Sequence, residues 1–73
     1  MKRKFILFND GSIGIIDQNN KGHYDVVFIH GKQPIYNTLN NYFYHENLCV
    51  DWILEHTVDS HIVNIKTFEC EGT

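Results

Sequence analysis

A chain of 73 residues holds one domain, residues 1–73, with one modest core, near the size at which small proteins draw added stability from disulfides, metals or partners. Apolar residues make up 42% and aromatic residues 14%, enough buried surface to fold, which excludes a disordered chain. The formal charge of -3 is too small and too dispersed for a mimic of the DNA backbone, and has the wrong sign for a general nucleic-acid binder.

The chain begins Lys2-Arg3-Lys4 and continues into Phe5-Ile6-Leu7-Phe8. This apolar run stops at Asn9-Asp10, short of the roughly 7 to 15 residues of an export core, and no stretch is long enough to span a membrane. A cytoplasmic protein is the simplest expectation, with Cys49 and Cys70 as thiols. Phe5–Phe8 predicts a strand, and Asp10-Gly11 a hairpin turn, because that pair tolerates positive φ. A second strand reads Ile13-Gly14-Ile15-Ile16, where Gly14 marks a bulge or a close approach of another group. After a turn at Gln18–Gly22, residues 23–30 form the clearest strand, with Tyr24, Val26 and Phe28 on one face and Val27 and Ile29 on the other.

Pro34 suits the first turn of a helix, and Ile35, Leu39, Tyr42 and Phe43 recur at helical spacing as its inward face. The second helix is the organising element. On a wheel of about 100° per residue, Asp51 and Glu55 share a narrow polar stripe, while Ile53, with Cys49, Val50 and Leu54, points away from it. A stripe that narrow predicts a helix wrapped on most sides, with Trp52 in its packing and Asn47 as N-cap. A last strand over 61–70 carries Ile62, Val63, Ile65 and Phe68.

The expected fold is therefore α+β: an antiparallel sheet of about four strands in the order β-β-β-α-α-β, two short helices on one face, and the last strand beside the first. A rival is an SH3-like small barrel with a helical insert. Gly11-Ser12-Ile13-Gly14-Ile15-Ile16 and Gly22-His23-Tyr24-Asp25-Val26-Val27-Phe28 resemble the strand-turn-strand pattern of that class.

No reaction is spelled out. The five histidines, His23, His30, His45, His56 and His61, lack zinc-module spacing, and no CxxC pair accompanies them. Cys49 with His45 or His56 is the only nucleophilic dyad that can be drawn, and a buried thiol is protonated and inert. The expectation is no enzyme, no catalytic residue, no metal and no cofactor. The informative feature is an apolar surplus: two short helices cover one face of a sheet, yet Phe5–Phe8 and Val26–Ile29 are apolar on both. Phe8, Val27 and Ile29 are accordingly candidate partner contacts, together with Tyr36, Asn40 and Tyr44, which line up at four-residue spacing if the first helix forms.

In its short length and its abundance of Asn, Lys, Tyr, Ile and His, the chain resembles the small single-domain accessory proteins of tailed bacteriophages. That resemblance implies a cytosolic protein-binding module in the host cytoplasm, an inhibitor that blocks a host or defence protein by steric occlusion, with a homodimer as a further partner state. Two other classes stand beside it: a nucleic-acid-binding small β domain, using Lys2-Arg3-Lys4 and sheet aromatics, and a self-associating structural protein.

Overall fold

The computed structural model describes residues 2–37, 43–57 and 59–69. Each apolar run pairs with the next through a short turn, giving strands β1 (Lys2–Phe8), β2 (Ile13–Gln18), β3 (Tyr24–His30) and β4 (Gln33–Tyr36). Helix α1 (Glu46–Leu54) and strand β5 (Ile62–Glu69) complete the described elements. The sheet is antiparallel, in the order β4-β3-β2-β1-β5. As expected, the last strand returns to the free edge of the first.

The turns account for the meander. In the first, the backbone N–H of Ser12 donates to the Asp10 carboxylate at 2.9 Å. In the second, Asn19 Oδ1 accepts from the N–H groups of Lys21 and His23 at 2.9 and 3.0 Å. Asx side chains that bind backbone two residues on favour such turns over continued strand.

Strand β4 lies where the sequence predicts a helix. Gly31, at φ 64°, with Lys32 forms a two-residue loop between the paired residues His30 and Gln33, which folds the chain back onto β3. Ile35 then pairs with Phe28 and Tyr36 with Val27, so Pro34 sits in an edge strand, the one sheet position that readily tolerates it. Pro34 reads equally well as a helix start or an edge-strand residue, and only the hairpin decides. Among the described residues there is one helix, not two. Phe43 makes an isolated antiparallel bridge with Tyr24 instead of a helical contact. Expectations for Leu39, Asn40, Tyr42 and Cys70 concern positions outside the described residues. The barrel alternative needs its edges joined, whereas β4 and β5 remain opposite edges of an open sheet.

Helix α1 lies across β2 and β3. Its fully buried Cys49 and Ile53 meet Ile6, Phe8, Ile16, Val26 and Phe28 in one core, flanked by Tyr24, Phe43, Val50 and Trp52. Asp51 and Glu55 are exposed as predicted. Leu48 and Leu54 are exposed as well, so the helix is embedded along one side only, with no second helix among the described residues over its back. Its N-cap is His45, not Asn47. Residue 45 has the extended backbone of a cap, at φ -134° and ψ 137°, and Asn47 already lies inside the first turn. The C-terminal end is closed by Thr57 Oγ1, which donates to the Leu54 carbonyl, and by the His56 ring, whose Nδ1 lies 2.9 Å from the Trp52 carbonyl.

Candidate interaction surface

Strand alternation divides the sheet into a helix side and an open side. The register arranges the open side in three rows. One runs Asn64, Leu7, Ile13, Ile29, Pro34 from β5 to β4, and the next Lys66, Phe5, Ile15, Val27, Tyr36. The third, at one rim, runs Phe68, Arg3, Asp17, Asp25. No described element lies over these rows, since α1 packs on the opposite side.

The side chains fit this division. Phe5 and Phe68 meet edge to face at 5.6 Å between ring centroids. Leu7, Ile13, Ile15, Val27 and Ile29 are half-buried only by their neighbours in the sheet, whereas Tyr36 is 63% exposed and Phe68 52%. In the charged row Arg3 grips Asp17 through Nε and Nη2 at 2.6 and 2.9 Å. Asp17 also stands directly across from Asp25, a like-charge cross-strand pair that opposes sheet formation. Beside these carboxylates a shallow depression of about 170 Å³ is lined by Ile15, Val27 and Tyr36.

Of the partner contacts expected from sequence, Val27 and Ile29 lie on this open side. Tyr36 lies there too, carried by β4 instead of a helix. Phe8 does not: it is buried on the helix side, its ring edge to face with Phe28 at 6.1 Å. Alternation from the buried Ile6 requires that, because residues two apart share a face. Tyr44 precedes α1 and touches His23 edge to face at 5.0 Å, so Tyr36 and Tyr44 do not share a helical stripe. Asn40 lies outside the described residues. Sequence reading missed Phe5, Leu7, Ile13, Ile15 and Phe68 as members of the surface. Their period-two spacing was the available signal, although it does not say which face a helix will cover.

A polar cluster is the other concentration of chemistry. Ser12 Oγ lies 2.7 Å from His30 Nδ1, Asp10 Oδ2 lies 3.8 Å from the same nitrogen, and Ser60 Oγ donates to Asp10 at 2.7 Å. Serine and carboxylate thus face one ring nitrogen, whereas a nucleophile relay needs one on each. The cluster ties the first turn to the end of β3 and to the segment before β5, where Asn9 and His61 exchange two further bonds. The backbone N–H of Ser12, then the hydroxyls of Ser60 and Ser12, hold the Asp10 carboxyl down at about 2. Burial, reinforced by Glu46 and Asp25, pushes the Cys49 thiol up to about 12, which leaves it protonated at neutral pH.

Among the described residues no three His, Cys, Asp or Glu side chains converge as metal ligands. Of the candidate phosphate contacts Lys2, Arg3 and Lys4, two are engaged by carboxylates, Arg3 by Asp17 and Lys4 by Glu46 on α1 at 2.8 Å. Among the described residues no helix is long and apolar enough to cross a membrane. Comparison with known proteins returned no matching family model, no matching curated relative and no matching solved structure.

Proposed function

We propose that this protein is a small protein-binding module that works by contact, with the open side of its sheet as the contact surface. The observation that carries this reading is the pair of adjacent apolar rows, Leu7-Ile13-Ile29 and Phe5-Ile15-Val27, left without cover by any described element. A contiguous apolar patch with a charged rim marks an interaction site on small proteins. The partner class is a folded host or defence protein, which the module inhibits by steric occlusion in the host cytoplasm, in line with the compositional resemblance to phage accessory proteins. Nucleic acid is the weaker reading, because two of the three basic residues at the start of the chain, Arg3 and Lys4, already hold carboxylates.

The test is affinity capture from a nuclease-treated bacterial lysate with the wild type, Val27→Lys and Tyr44→Ala, each checked for folding by circular dichroism. The reading expects one stoichiometric protein partner with the wild type, its loss with Val27→Lys and its retention with Tyr44→Ala. Capture that requires intact nucleic acid, or that is indifferent to Val27→Lys, overturns it.

A further inference from the structure

We infer that the open side of the sheet is the interface of a face-to-face homodimer, whose two-fold axis runs along β2. This rests on the reading of that side as a protein-contact surface, and it names the occupant in the absence of any other partner as a second copy of this chain.

The charge pattern leads to the axis. Two sheets stacked about a two-fold parallel to β2 keep each row over the same row of the other copy and exchange the two flanks. The β1 strand of one copy then lies over β3 of the other, and β5 over β4. In the charged row this sets Arg3 of one copy over Asp25 of the other, and the reverse, and Asp17 over its own copy on the axis. The two arginines that hold the facing Asp17 carboxylates in their own sheets thus also each face an acid across the interface. The next row sets Lys66 over the exposed ring of Tyr36, a cation against an aromatic face. In the apolar rows, Phe5 lies over Val27, Leu7 over Ile29, and Ile13 and Ile15 over their own copies on the axis.

The depression beside Asp17, Asp25 and Tyr36 is therefore where both basic side chains of this face arrive from the other copy. The Asp17 and Asp25 pair, unfavourable within one sheet, gains a cation in the assembly.

The competing axis, across the strands, fails on the same residues. It lays the charged row over Leu7, Ile13 and Ile29, which buries the Arg3–Asp17 pair against apolar side chains and brings Asp25 no cation from the other copy. Stacked sheets keep their strands within about 30° of each other. That rotation displaces facing residues one strand from the axis by a few ångströms, within the reach of an arginine. Five strands about 4.8 Å apart and three rows of side chains make a face of roughly 400–500 Å² per copy. A pair buries about 1,000 Å² in all, at the low end for specific interfaces, so the dimer is reversible and depends on concentration. A target that uses this face displaces the second copy.

Sedimentation velocity on the full chain from 1 to 500 µM tests this, with circular dichroism to establish that each variant is folded. The wild type should pass from monomer to dimer across that range. Ile15→Lys on the axis should hold the chain monomeric throughout. Arg3→Asp and Asp25→Arg should each weaken association at least tenfold. The double variant Arg3→Asp with Asp25→Arg, which keeps an acid-base pair within the sheet and restores the pair across it, should recover most of that loss.

A wild type that stays monomeric, a dimer indifferent to Ile15→Lys, or a double variant no tighter than the single ones overturns the inference. A monomeric wild type that still captures a protein through Val27 removes the homodimer and leaves the protein-binding reading in place. A dimer without such capture removes the second and keeps the first.

Discussion

Gly14 is where helix and sheet come closest. A β-carbon there would lie 2.7 Å from Ile53 Cδ1 and 3.0 Å from Cγ2, too near for either side chain to remain in place. The glycine lets α1 settle directly onto β2, and Ile53 fills the space that a side chain would occupy. Gly14→Ala should therefore destabilise the fold by about 1–3 kcal/mol through overpacking. Ile53→Val on that background should return part of the loss, with urea unfolding as the measurement. The close approach anticipated from sequence is thus present, and the approaching group is an aliphatic side chain from 39 positions further along, an identity that no local pattern carries. Asp10 shows a different limit. Its carboxyl titrates at about 2 in the folded chain against an ordinary 3.8, so it adds stability that is complete above about pH 4 and is lost as pH falls toward 2. Asp10→Asn should be less stable than the wild type at pH 7, with the gap narrowing steadily as pH falls from 4 toward 2, in chemical denaturation across that range. The Asp10-Gly11 turn was legible because the turn is local. The Ser60 hydroxyl that helps hold the carboxylate lies 50 residues away and was not.

At the scale of elements, periodicity served well where an element has one covered side and misled where local preference was divided. The register of β1, β2 and β3 and the buried side of α1 follow from alternation and helical spacing, because burial selects the same residues that periodicity marks. Residues 33–36 show the opposite case. Ile35, Leu39 and Phe43 carry helical spacing, yet the two-residue turn at Gly31-Lys32 offers β4 a ladder of partners on β3, and those cross-strand bonds prevail over weak helix preference. The beginning of α1 is another instance. Asn47 is the better capping residue, but the helix starts at Glu46 behind His45, whose side chain makes no cap bond. His45→Asp should satisfy one of the free N–H groups of the first turn and raise stability by about 1 kcal/mol, read from the shift in the urea midpoint.

At the scale of the molecule, the one helix among the described residues packs on one side of a five-stranded sheet and leaves the apolar rows of the other side uncovered by any described element. On the helix side α1 spans β2 and β3, so Ile62 and Ile65 on β5 stay exposed beside it, and the edge is interrupted by a bulge at Val63, a feature that discourages further strand addition. The open side is the surface on which both the binding reading and the homodimer depend. By itself the sequence determined the α+β class, the antiparallel meander, the inward face of α1 and the existence of an apolar surplus, because each follows from the spacing of apolar residues along a few neighbouring turns. Only the tertiary structure decided that residues 33–36 are a strand, that Phe8 is core and not surface, and that Arg3, Asp17 and Asp25 stand in one row. Those outcomes depend on which face the helix covers and on pairings between distant segments, and the free energy of such contacts belongs to the folded assembly of strands, not to any stretch of chain within it.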